Sequence, residues 1–253
     1  MIGIIGAMEQ EVSQVVAAMT DAKTVEIAGM IFNSGKFCGK DVIVVKSGIG
    51  KVNAAICTQI LATYFKVDAV INTGIAGSLR VEINIGDVVL STDALQHDMD
   101  ATNFGYEPGV IPGMKVSTFK ASEELIEKAE KACKREVPEL GVFKGRVVSG
   151  DQFVSDKATK NRIADTFHGY CTEMEGAAIA QAAYLNNIPF LIIRAISDKA
   201  DDSAAMDYDE FERRANRVRS EERFSRNAET ELLCKKSSRS FFIPYPVINY
   251  NFS

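Results

Sequence analysis

The residues best suited to chemistry in this chain are four carboxylates. Glu11 and Asp198 stand just beyond short apolar runs, and Glu173 and Glu175 open an alanine-rich stretch. A single carboxylate at a helix end is ordinarily a solvated charge, so it is their shared placement that points to a site. Paired carboxylates in different environments suit cleavage of a glycosidic bond. One protonates the leaving group, another activates water, and nearby negative charge stabilises the electron-deficient sugar. Metal chemistry finds no support in the spacing: His97 and His168 are the only histidines, and neither has a partner at ligand distance in the sequence. Spacing alone leaves the reaction open.

The elements that must position these groups are legible as runs of Val, Ile and Leu. "IGIIGAM", "DVIVVKSGIGK", "DAVINTGIAGS", "GRVVSGDQF" and "PFLIIRAISD" are nearly continuous rather than alternating, which predicts strands buried on both faces. Helical patterns occupy 54–65, 122–135 and 174–185, the second with Leu125, Ile126, Ala129, Ala132 and Cys133 on one face. Strands alternating with helices predict an α/β domain with a mixed, largely parallel sheet covered on both sides. Ligands of such sheets bind at the carboxyl ends of the strands, so segments 6–11, 47–51, 72–78, 149–154 and 197–202 are expected to meet at one edge. The first of them poses a question. Its glycines, at the start of a helix, would suit a phosphate and let the strand end close to a ligand, yet Met8, Glu9, Gln10 and Glu11 follow.

Composition bounds the rest. With 253 residues, 46% hydrophobic and 25% charged, the chain is long enough for one large domain with a well-buried core. A net charge of -5 gives no reason to expect nucleic acid or a membrane surface as partner. The five cysteines show no C-x-x-C spacing, so neither zinc nor a disulfide framework is expected, and a reducing, cytoplasmic setting is the simplest reading. There is no basic segment before the first apolar run and no stretch of transmembrane length.

The segments "GIIGAMEQEV", "KSGIGKVNAA", "INTGIAGS", "GDVVLSTDALQHD", "FGYEPGVIPG", "VSGDQF", "EMEGAAIA" and "RAISDKAD" occur in order from Ile2 to about Phe211. Together they resemble the 5'-methylthioadenosine/S-adenosylhomocysteine nucleosidases of the nucleoside phosphorylase and hydrolase superfamily. The resemblance implies a three-layer α/β/α domain over 1–211 that hydrolyses the N-glycosidic bond of adenine thionucleosides without a cofactor, in methionine salvage and the activated-methyl cycle. It makes Glu11 the general base for water, Asp198 the acid at adenine N7 with Ser197 in support, and Glu175 the carboxylate on the ribose hydroxyls. Met174 would lie against the sugar, with Glu173, Ala76 and Gly77 also lining the site. Phe153 would stack on adenine and Val154 would offer backbone groups to the purine edge. Met8, Ile49 and Tyr208 would form the 5' pocket, completed by Ala101, Phe104 and Pro112 of a neighbouring subunit, which implies a homodimer. Ile75 stands where some relatives carry serine.

Two alternatives stay open. A phosphorolytic enzyme of the same superfamily would need arginine and backbone donors for phosphate, and near predicted strand ends only Arg194 and, further along a loop, Arg80 are on offer. A nucleoside-binding protein without activity would not need both an acid and a base. After "DYDEF" family character is lost: 212–226 is dense in charge with a thin apolar stripe, and 240–253 is aromatic and broken by Pro244 and Pro246. A changed reading frame near Arg214 and a lineage-specific tail both fit this atypical segment, 212–253.

Overall fold

The computed structural model describes residues 1–201, 203 and 204, so expectations for Tyr208 and for the segment 212–253 lie outside the described residues. In chain order the elements are β1 (Ile2–Gly6), α1 (Glu9–Ala17), β2 (Thr20–Ile27), β3 (Met30–Phe37), β4 (Lys40–Lys46), α2 (Lys51–Thr63), β5 (Ala69–Ser78), β6 (Val88–Gln96), β7 (Phe119–Lys120), α3 (Glu123–Glu136), β8 (Val142–Ser149), α4 (Lys157–Phe167), β9 (Cys171–Glu173), α5 (Gly176–Leu185) and β10 (Phe190–Asp198). A 3₁₀ turn lies at Thr102–Phe104.

The strands form one mixed sheet in the order β10-β6-β8-β9-β5-β1-β4-β3-β2, and β10 also pairs with β5. That last pairing closes β5, β10, β6, β8 and β9 into a ring, from which β1, β4, β3 and β2 extend as an open sheet. Pairings β1–β4, β1–β5, β5–β10, β6–β8 and β8–β9 are parallel. The hairpins of β2, β3 and β4 and the ring contacts β5–β9 and β6–β10 are antiparallel.

Continuous apolar runs are explained by burial on both faces. In β1 and β4, Ile4, Val42 and Val44 pack with Val12 and Val15 of α1, whereas Ile5, Ile43 and Val45 join the main core on the other side with Leu61 of α2. Every residue of β10 is buried. Helix α3 buries Leu125, Ile126, Ala129, Ala132 and Cys133, the face read from its periodicity, and Ser122 caps its first turn. Helix α5 buries almost its whole alanine-rich length, small side chains that let it pack closely on α2.

Two features differ from expectation. Residues 72–78 and 197–198 lie within β5 and β10 rather than after them, because both strands keep pairing past the glycines: Gly74 opposite Arg194 and Gly77 opposite Asp198. The β2–β3 hairpin gave no apolar run because β2 is an exposed edge strand rich in polar residues, a composition that discourages edge-to-edge pairing.

Candidate active site

The five segments expected to converge do so through backbone and carboxylate hydrogen bonds. Ser47 and Gly48 donate to the carbonyls of Gly6 and Ala7, Ile75 donates to Glu11, Lys51 to Asp151 and Gly150 to the carbonyl of Glu173. The link to the last segment is the β5–β10 pairing itself.

Glu11 answers the question raised by the first glycine turn. It occupies the third position of α1 and folds back so that Oε2 accepts from the amides of Ala7 (2.6 Å) and Met8 (2.9 Å). The donors that a phosphate would use at a helix N-terminus are taken by the chain's own carboxylate. Gly6 serves the same arrangement rather than a ligand. A Cβ there would stand 2.8 Å from Glu11 Cβ and from Val12 Cγ1, so the glycine makes room for the first turn of α1, not for a ligand's approach. Oε1 of Glu11 accepts only a long bond from Ile75 (3.3 Å), which leaves it the less engaged oxygen. Burial pushes the Glu11 carboxyl above its ordinary range, against the pull of Arg194 and of the Met8, Ala7 and Ile75 amides.

Arg194 is the organising residue that sequence reasoning undervalued. Among the described residues it is the largest fully buried side chain; its Nη2 donates to Glu173 Oε2 and to Asn72 Oδ1, and its Nη1 donates to the carbonyl of Ile193. Burial opposes its charge, but the fields of Glu173, Glu11 and Glu175 outweigh that and hold it protonated. A signal was present: an arginine inside "FLIIRAI" must be paired if the strand is buried on both faces.

Glu173 is the carboxylate most heavily bonded by its own chain. Both of its oxygens are committed, to Ser149 Oγ, to the Gly176 and Glu175 amides at the start of α5, and to Arg194. Its bonds tie Arg194 to the start of α5. Glu175, the N-cap of α5, accepts instead from the Gly50 amide (2.8 Å). Burial and the neighbouring charge of Glu173 push its carboxyl up to about 7.

Asp198 ends β10 beyond a bulge at Ser197, a device that re-aims the following side chain. Its Oδ2 accepts from Ser197 Oγ (2.7 Å) and its Oδ1 from the amide of Ala200 (2.7 Å). Two glycines of β5 give the carboxylates their space. A Cβ on Gly74 would lie 2.5 Å from Glu11 Oε1, and one on Gly77 would lie 2.7 Å from Asp198 Oδ1. Glu11 and Asp198 thus each approach β5 at a glycine, three residues apart along that strand.

The remaining expected residues are distributed as follows. Phe153 is exposed, while Val154 is buried beside Ala200 in a small cluster, which ties the expected base-stacking segment to the Asp198 loop. Met8 and Met174 are half-buried, and Ile49 is exposed on the segment hydrogen-bonded to Ala7. The side chain of Ala76 belongs to the core, so only its backbone is available. Phe104 and Pro112 are exposed, but Ala101 is buried within its own chain, because it sits at the base of the 3₁₀ turn that lifts Phe104 outward. Among the described residues there is no cluster of His, Cys, Asp and Glu suited to a metal, and the four cysteines are free thiols.

Comparison with known proteins agrees with this architecture. The phosphorylase superfamily profile matches residues 1–230. A 5'-methylthioadenosine/S-adenosylhomocysteine nucleosidase of Bacillus thuringiensis (strain Al Hakam) is 45% identical over 211 residues, 83% of this chain and 90% of the relative. The chain belongs to the 5'-methylthioadenosine/S-adenosylhomocysteine nucleosidase family. The nucleosidase of this family from Colwellia psychrerythraea 34H, solved in complex with adenine, has a TM-score of 0.79 and 40% identity, covering 83% of this chain and 86% of that one. A futalosine hydrolase of Helicobacter pylori has a TM-score of 0.78 and 32% identity, covering 83% and 89%. Three of the segments that carried the resemblance, "GIIGAMEQEV", "EMEGAAIA" and "RAISDKAD", supply the four carboxylates.

Proposed function

We propose that the protein hydrolyses the N-glycosidic bond of 5'-methylthioadenosine and S-adenosylhomocysteine, and of 5'-deoxyadenosine, releasing adenine and the 5-thioribose or 5-deoxyribose product. The observation that carries this reading is the Glu11 carboxylate seated on the N-terminus of α1, where a phosphorolytic enzyme would need anion-binding donors. Neither arginine is available to replace them. Arg194 is locked onto Glu173 and Asn72, and Arg80 donates to the carbonyls of Gly169 and His168 while lying over Tyr170.

Chemistry then divides among the carboxylates. Water attacks the anomeric carbon as the bond to adenine N9 breaks, and its proton passes to Oε1 of Glu11, whose raised pKa makes it the stronger base. Asp198, oriented by Ser197 and the Ala200 amide, delivers or shares the proton at adenine N7, so that adenine departs neutral. Glu175 hydrogen-bonds the ribose hydroxyls and offsets the positive charge that develops on the sugar. Phe153 stacks on the base and the Val154 backbone reads its edge. Met8, Ile49 and Met174 give the thioether an apolar wall. No step needs a cofactor.

Exposed Phe104, Tyr106, Val52 and Ile56 support a homodimer in which Phe104 and Pro112 close the partner's 5' pocket. Free thiols at the described cysteines fit a cytoplasmic setting, and the two thionucleoside substrates place the activity in methionine salvage and the activated-methyl cycle. The test is adenine release in phosphate-free buffer from the three substrates. Turnover without phosphate is expected; strict dependence on phosphate overturns the reading, and no turnover of any of the three moves the substrate to a different 5'-substituted purine nucleoside.

A further inference from the structure

We propose that Lys51, Asp98 and Asp151 form a positioning cluster that presents the Gly50 amide to Glu175 and fixes the segment carrying Phe153. None of the three needs to touch substrate. The cluster is a closed ring: Asp98 Oδ1 accepts from Lys51 Nζ (2.6 Å), Asp98 Oδ2 from the Asp151 amide (2.9 Å), and Asp151 Oδ1 from the Lys51 amide (2.8 Å). The residue before Lys51 is Gly50, whose amide lies 2.8 Å from Glu175 Oε1. The residues after Asp151 lead to Phe153.

Helix α2 does not set the Gly50 amide by itself. Gly50 is its N-cap with φ +94°, a conformation closed to ordinary L residues, and no side chain caps it. The direction of that N–H is set on one side by the Ile49 carbonyl of the same peptide, which accepts from Asn53 Nδ2 (2.7 Å), and on the other by what holds Lys51. The ring is also tied to the other partner of the bond. Lys51 Nζ donates to Gln96 Oε1 (3.0 Å), and Gln96 Nε2 donates to Gln181 Oε1 (2.6 Å) on α5, the helix that Glu175 begins. This is no loose surface pair, since the side chains of Lys51 and Asp98 are only 19% and 28% exposed. Burial alone would raise the Asp98 carboxyl, but Lys51 and the Asp151 amide overcome it and hold it below its ordinary range.

The titratable groups facing Glu175 are Glu173 from β9, Arg194 from β10 and Glu11 from α1, with the Gly50 amide from the start of α2. Of these, only the amide depends on the ring. Loosening the ring leaves the Glu175 carboxylate less stabilised, so a higher pH is needed to ionise it.

This inference rests on the assignment of Glu175 to the ribose. The experiment measures kcat/KM for adenine release from methylthioadenosine between pH 5 and 9 in the full chain, comparing wild type, Lys51→Met, Asp98→Asn and Lys51→Arg, with thermal melts of each. Lys51→Met and Asp98→Asn should move the acid limb upward and lower kcat/KM about tenfold at pH 6, as expected for weakening one hydrogen bond to a charged group. The loss should shrink above pH 8, and Lys51→Arg should recover part of it. Equal losses at every pH, or losses that follow the melting temperature, assign the ring a merely structural role and overturn the proposal. Should Lys51→Met fail to fold, Asp98→Asn gives the same reading. Full activity of Glu175→Gln would instead refute the ribose assignment, and the two failures are told apart by that variant.

Discussion

Replacing Glu175 by Gln should make the protein more stable and much less active, and the gain in stability should depend on pH in a direction fixed by the structure. In the fold this carboxyl is raised from its ordinary 4.5 to about 7 by burial and by the charge of Glu173. Between those values the native state holds a proton that the unfolded chain has lost, so stability falls as pH rises through this window. Below about pH 4.5 the wild type carries no penalty from this group. Above about pH 7 the full penalty is present, and the shift corresponds to about 3 kcal/mol. Gln keeps an oxygen for the Gly50 amide and carries no charge to repel Glu173. Urea unfolding of both proteins from pH 5 to pH 8, at one protomer concentration, reads the difference directly. The stability of Glu175→Gln relative to wild type should grow by up to about 3 kcal/mol over that range and then level off, while adenine release falls by a factor on the order of 100. A difference that stays constant with pH, or one that grows as pH falls, would refute the reasoning.

Two further substitutions test the packing that aims the carboxylates. Gly74→Ala places a methyl group 2.5 Å from Glu11 Oε1 and 3.2 Å from Arg194 Nη1, so steady-state kinetics should show kcat at least about 100-fold lower. Activity within a few-fold of wild type would mean that Glu11 can serve from another pose. Arg194→Met leaves Glu173 buried without its cation and should destabilise the fold by about 3–5 kcal/mol in denaturant titration; a loss below about 1 kcal/mol would contradict the pairing.

The sequence made the carboxylates visible because they interrupt apolar runs at strand ends, and the structure gathers Glu11, Glu173 and Glu175 around Arg194. Their division of labour was less legible. Glu173 and Glu175 are two residues apart, and nothing in "EMEG" tells which one will be consumed by Arg194 and Ser149 and which will remain on a single backbone amide. The glycines of "NTGIAGS" gave a similar ambiguity: the resemblance placed Gly77 in the site lining and gave Gly74 no role, and nothing in the motif told that both make room for side chains arriving from α1 and β10. Such vacancies depend on contacts distant in sequence, and periodicity carries no trace of them. The closure of β10 onto β5 was hidden for the same reason. The buried face of α3, by contrast, is a local 3.6-residue pattern and was readable in full.

The central claim is that water, activated by Glu11, is the nucleophile. Carrying out the reaction in ¹⁸O-labelled water, with inorganic phosphate present in excess, tests it most directly. The account predicts one labelled oxygen on the anomeric carbon of the released thioribose and no sugar phosphate. An unlabelled sugar 1-phosphate accompanying adenine would contradict it.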